Sequence, residues 1–193
     1  PVMNKTFNRR IFSFKQFIID LGFNIYMLPA TISMLRNKDI SKAFREKIMM
    51  VVTAVNGCTY CTWFHSKRAA SSGLTESEIK NLLLLQFNTN ASDFEIPGLL
   101  FAQNYAETNR EADKSVVEKL YKFYGRKTAR HIYIITRMIT FGNLSGNTFD
   151  AFLSRFKGQK APNSTIIFEV FFFLISAPFL LPIMPFVKRD ANK

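Results

Sequence analysis

Cys58 and Cys61 are the only cysteines among the 193 residues, and they stand as Cys58-Thr59-Tyr60-Cys61 with His65 four residues further on. At about 100° per residue, the three side chains project from nearly one face of a helix. Two thiols one turn apart can close a disulfide, and a cysteine at a helix start has its thiolate stabilised by the helix dipole and by free backbone N–H groups. By that argument Cys58 is the more acidic of the two. His65, one turn beyond Cys61, can accept its proton, and Glu46, set in an otherwise apolar segment, can orient or recharge the imidazole. Dithiol/disulfide chemistry is the reading this spacing favours over two unreactive buried cysteines.

Metal chemistry fits the pattern less well. His131, the only other histidine, lies far along the chain and is read as structural, so a zinc site lacks its fourth ligand and no metal is expected. Covalent haem attachment needs a histidine directly after the second cysteine, and Thr62 stands there. Tyr60 and Trp63 read as packing residues, Tyr60 being an accessory candidate because it lies between the thiols.

The elements that must position these residues are helices. Ser41 caps a helix that runs through the apolar Ile48 to Val55 and stops at Asn56-Gly57; a second runs from Cys58 to about Ser71 and closes at Ser72-Gly73. Thr75-Glu76-Ser77-Glu78 forms a capping box before Ile79 to Gln86. Pro97-Gly98 opens a helix through Ala106, Asp113 or Ser115 starts one to Tyr124, and Gly125 punctuates before Thr128 to Phe141. Strand-like alternation is nowhere sustained, so the expected class is all-α: about six helices in a compact domain over residues 41–157.

Two apolar segments flank that domain. Within residues 1–40, Phe14, Phe17, Ile18, Leu21, Ile25 and Leu28 share one side of a helical wheel and Ser13, Gln16, Asp20 and Asn24 the other, until Pro29 and the polar Arg36-Asn37-Lys38-Asp39 stretch interrupt. Residues 158–193 begin as a linker through Asn163 and continue from Ile166 to Val187 with one charge, Glu169. Pro178, Pro182 and Pro185 divide this run into a helix of about three turns and an irregular piece, which argues against a straight membrane span. Two readings stay open for the tail. One is a core helix or oligomer interface. The other is a monotopic anchor that dips Phe171, Phe172, Phe173, Phe179, Leu180 and Phe186 into one leaflet, with Lys157, Lys160, Lys188 and Arg189 at the headgroups.

The 26 Lys+Arg against 14 Asp+Glu give a net charge of +12. With no Lys/Arg block and 21 Phe gathered in apolar stretches, anionic lipid is a better partner than nucleic acid, which is not expected. A CxxC pair without a wider cysteine framework points to a reducing, cytoplasmic setting with peripheral or monotopic membrane association, or a soluble one. Lys5, Arg9 and Arg10 precede an apolar run, but Lys15 and Asp20 interrupt it and no signal peptide is expected.

Glu46, eleven further residues, Cys58-Thr59-Tyr60-Cys61 and His65, together with AFREKI, NGCTYC and GLLFAQNYAET, resemble the alkylhydroperoxidase D-like, or carboxymuconolactone decarboxylase-like, family over about Ser41 to Phe141. The resemblance implies an all-helical fold assembling as trimers or hexamers around a thiol peroxidase or disulfide reductase site. It implies that Cys61 attacks an organic or lipid hydroperoxide, that Cys58 resolves the sulfenic acid, and that Glu46 and His65 relay protons, with no cofactor beyond an external dithiol or protein thiol reductant. It thus assigns attack to Cys61, against the dipole argument. Tyr60 stands where peroxidase members carry a second histidine, and the cysteine pair sets the chain apart from the decarboxylase branch. The alternative is a non-catalytic structural or accessory subunit of a membrane-associated complex built on the same fold.

Overall fold

The computed structural model describes residues 7–36, 39–87, 91–162 and 164–191. Lys5, Asn37, Lys38 and Asn163, used above, lie outside them. The described residues form nine helices and no strand.

The middle of the molecule follows its capping signals. Ser41 Oγ accepts the Phe44 N–H at 3.0 Å and opens α3, Lys42–Asn56. Gly57, at φ 68°, closes it by returning its N–H to the Thr53 carbonyl at 2.8 Å, in a conformation that a residue with a Cβ rarely adopts. Next come α4, Thr59–Ser71, and α5, Glu76–Leu83, the latter entered through the Thr75–Glu78 capping box. α6 is Ile96–Glu107 with Pro97 in its first turn, and α7 is Lys114–Arg155, broken at Gly125, where φ is 70°. Past Phe141, where the expected helix stops, α7 continues because its small polar residues there, Asn143, Gly146, Asn147 and Thr148, are buried against neighbouring elements. α3 is the central helix, packed between α4, α6 and α7, and its Phe44, Ile48, Met50, Val51 and Val52 are essentially inaccessible. Each such side chain contributes roughly 1.5–3 kcal/mol by leaving water.

The termini differ from the expectation in two respects. At the N-terminus, α1, Phe14–Tyr26, is followed after a 54° bend by α2, Leu28–Arg36. Pro29 occupies the second position of α2, where a missing N–H removes no intrahelical bond, so it starts a helix instead of ending one. At the C-terminus, α8, Ile166–Leu180, runs through Pro178, and the piece expected to be irregular forms α9, Met184–Ala191, after a 73° bend. Pro185 again sits in a first turn.

α8 packs on α7, and α9 packs on α4. Before α1, Phe12 is fully buried with Phe17, Leu144, Phe168 and Phe172, which ties both termini together. Of the six tail residues expected to face lipid, Phe171, Phe179 and Phe186 are exposed. Phe172 faces inward against Phe12 and Phe17, Phe173 stacks on Phe149 at 5.1 Å, and Leu180 is half-buried, because one side of α8 has to cover α7. Among the described residues no single helix is long and apolar enough to cross a membrane.

Candidate functional site

Cys58 is the N-cap of α4, and its Sγ accepts the Cys61 N–H at 3.3 Å. α7 closes over it at Gly146. A Cβ at that position would come within 2.7 Å of Cys58 Sγ and 3.3 Å of the Tyr60 ring, so the approach depends on the absence of a side chain. The result is full burial of Cys58, and burial pushes its thiol well above the ordinary range.

Cys61 is partly exposed and shifts the other way. The Cys58 thiol donates to it and holds its pKa down, the Asn143 side chain adds a second donor, and these outweigh the opposing effect of its own burial. The dipole argument for Cys58 as the more acidic thiol is therefore overturned. A helix N-terminus is worth about 0.3–1 kcal/mol to an anion, less than the cost of ionising a fully buried sulfur. Cys61 is thus the more acidic thiol of the pair, and Cys58 the one that burial holds protonated.

Asn143 is itself fixed. Its Nδ2 donates to Thr53 Oγ1 at 3.0 Å, and its Oδ1 accepts from Asn56 Nδ2 at 3.2 Å, while Asn147 Nδ2 donates to the Asn56 carbonyl at 2.8 Å. All four side chains are buried, and a satisfied polar network of this kind holds one geometry.

Glu46, on α3, reaches across to α4. His65 Nδ1 lies 2.7 Å from its Oε2, and Arg68 Nε donates to its Oε1 at 2.8 Å. Burial alone would raise the Glu46 carboxyl, but the hydrogen bonds and charges of His65 and Arg68 hold it below its ordinary range, so it stays ionised. The carboxylate orients the ring through Nδ1. The structure thus joins Glu46 to His65, and Cys58 to Cys61, on the two helices named from the sequence.

Tyr60 packs beside Cys58 and Phe149, with its hydroxyl engaged on α7. Its hydroxyl donates to Asp150 Oδ1 at 2.8 Å, and burial, with the Asp150 charge, pushes the phenol far above its ordinary range. It therefore stays protonated and braces the start of α4, with Arg9 completing the brace through Asp150 Oδ2 at 2.8 Å. His131 lines a separate cleft with Ala30, Ser33, Arg126, Lys127 and Arg130, and among the described residues no His, Cys, Asp or Glu cluster has the makings of a metal site.

The tail roofs this site. Val187 is buried with Cys58, Tyr60 and Phe149, and Asp190 fastens α9 to α4 by accepting from Trp63 Nε1 at 2.8 Å and pairing with Lys67 at 2.9 Å. Those partners, Lys67 first, pull the Asp190 carboxyl down to about 2.

Sequence reasoning missed Arg68, Asn143, Gly146, Asp150 and Arg9. Arg68 was within reach, one turn past His65 on the same face of α4. The run Asn143 to Asn147, small and polar inside a long helix, was the available sign that something packs closely there.

Residues 28–93 match the carboxymuconolactone decarboxylase family. This family segment spans α2 to α5 and contains Glu46, Cys58, Cys61, His65 and Arg68, bearing out the resemblance read from the motif. It begins earlier and ends sooner than the span read from the sequence, and it leaves out α7, α8 and α9 with Asn143, Gly146 and Asp150. No curated protein and no solved structure matches the chain.

Proposed function

We propose that the chain is a thiol-dependent peroxidase or disulfide oxidoreductase acting on organic hydroperoxides. The observation that carries this reading is the unequal thiol pair: a partly exposed Cys61 with a lowered pKa, beside a buried Cys58 that holds a proton and donates it toward Cys61.

In the first step the Cys61 thiolate attacks the terminal oxygen of R–O–OH. The O–O bond breaks, Cys61 becomes a sulfenic acid, and the leaving alkoxide takes a proton to depart as R–OH. In this reading His65, oriented by Glu46, supplies it. In the second step Cys58 sulfur displaces hydroxide from the sulfenic sulfur. The thiol proton and the hydroxide leave as water, and a Cys58–Cys61 disulfide remains. An external dithiol returns both cysteines to thiols by exchange and is oxidised to its own disulfide.

The test is a thiol titration before and after one equivalent of cumene hydroperoxide. Two thiols should disappear together as one intramolecular disulfide, Cys61→Ser should abolish turnover with dithiothreitol, and Cys58→Ser should leave a sulfenic acid that dimedone traps. Unchanged thiols and no turnover in the wild type would sink the proposal and favour a non-catalytic subunit; equal turnover in Cys61→Ser would sink it by removing Cys61 from the chemistry.

A further inference from the structure

α8 is built inside out. Ile167, Val170, Phe171, Leu174, Ile175 and Phe179 recur at intervals of three and four residues and all face solvent, Ile167 at 81% and Phe179 at 74% exposure. The helix's single charge, Glu169, points the other way with 0% exposure and is gripped by Arg155 and Ser164. α1 repeats the arrangement. Asp20 is turned inward between Arg110, at 2.6 Å, and Arg137, at 3.1 Å, while Phe14, Ile18, Ile19 and Ile25 look outward. The two helices meet where Phe14, on the outward side of α1, packs edge-on at 6.0 Å against Phe168, which α8 turns inward.

A surface helix in water places its charges outward and its apolar stripe toward the core. Here two neighbouring helices do the opposite, and each fixes its inverted orientation with a buried acid–arginine pair. Soluble monomers seldom expose so continuous an apolar surface.

The charges around the face are basic, apart from Asp190 on α9, which lies 2.9 Å from Lys67 and 3.5 Å from Arg189. Lys15 and Arg36 border it from the α1–α2 side, and Lys157, Lys160, Lys188 and Arg189 flank α8 at its two ends, all exposed. Among the described residues, the only acids on α1, α2 and α8 are the two turned inward. α8 has 15 residues, about 22 Å at 1.5 Å per residue, short of the roughly 30 Å hydrocarbon core. It can lie in an interface but not cross one.

We infer that the outer faces of α1 and α8 together seat the protein on an anionic lipid bilayer, the apolar stripes entering the headgroup–acyl boundary and the surrounding lysines and arginines meeting the headgroups. A second copy of the chain fits this face less well, because two like-charged rims on molecules of net charge +12 would oppose each other. Nothing in the inference depends on the chemistry of Cys61.

The experiment is flotation of the full-length protein with vesicles of phosphatidylcholine alone or mixed equally with phosphatidylglycerol. The protein should float with the mixed vesicles and at least tenfold less with the neutral ones. Leu174→Glu/Ile175→Glu should abolish flotation while far-UV circular dichroism and the rate of Cys61 alkylation stay unchanged. Lys157→Gln/Lys188→Gln, which leaves the apolar stripe intact, should weaken flotation by about fivefold per charge removed. Protein that stays at the bottom with mixed vesicles overturns the inference. So does a lipid-free dimer that Leu174→Glu/Ile175→Glu dissociates, which would make the face a contact between copies.

Discussion

The body of the molecule, α3 to α7, and its terminal helices, α1 and α8, both bury acidic side chains, but they do so with opposite results at the surface. In the body, Glu46 is drawn inward by His65 and Arg68, and the helices keep most of their apolar residues inside, with Phe64, Leu100 and Phe123 among the exposed exceptions. In α1 and α8, Asp20 and Glu169 are drawn inward by arginines, and the apolar residues are turned out. A buried carboxylate thus stands at the candidate site in one place and fixes a helix's orientation in the other. What separates them is the added partner: Glu46 is shared between Arg68 and a histidine on α4, whereas Asp20 and Glu169 are held by arginines, joined at Glu169 by Ser164.

The comparison breaks most visibly at α8, where adjacent positions should behave unlike each other. Phe172→Ala removes a ring buried against Phe12 and Phe17 and should cost about 3–5 kcal/mol in chemical denaturation. Glu46→Gln should cost about 2 kcal/mol at neutral pH, discounted because Arg68 is largely exposed. The folded-state pKa of Glu46 is depressed, so its ionised form stabilises the fold above the unfolded carboxylate pKa. That advantage is lost as pH falls through the folded value, and denaturation curves of wild type and Glu46→Gln should converge in acid.

Gly146→Ala tests the closeness of α7 to the thiols. Forcing a Cβ against Cys58 should cost about 1–2 kcal/mol and slow closure of the disulfide, read as slower thiol loss after hydroperoxide. Asp190→Asn unfastens α9 from α4 and should show as earlier proteolysis of the tail. Because the Asp190 pKa is depressed, the difference from wild type should persist at neutral pH and fade as pH falls toward about 2. Smallest of all, Leu174→Ala on the outward stripe of α8 should alter stability by no more than about 0.5 kcal/mol. A Leu174→Ala cost comparable with that of Phe172→Ala would show that the stripe is covered and that the two faces of α8 do not differ.

What could be read from the sequence was local. Ser41, Gly57 and the Thr75–Glu78 box announce their helix ends because each acts within four residues, and Glu46 with His65 could be paired because two consecutive helices meet at Gly57. The relative acidity of the two cysteines could not be read that way, since it depends on burial by Gly146 and donation from Asn143, both far along the chain. Periodicity likewise described the two sides of α1 but not which one meets the body. That choice is made by Arg110 and Arg137, some ninety residues or more away. Prolines were read as breaks, whereas Pro29 and Pro185 fall in first turns and open helices.

Trp63, two residues along from Cys61, is the chain's only tryptophan, and it donates its indole N–H to Asp190. The protein therefore carries its own optical reporter. A single emission band, free of any background indole, is placed to register undocking of α9 as a change of polarity and closure of the proposed Cys58–Cys61 disulfide as quenching, so both events can be followed in real time without a label.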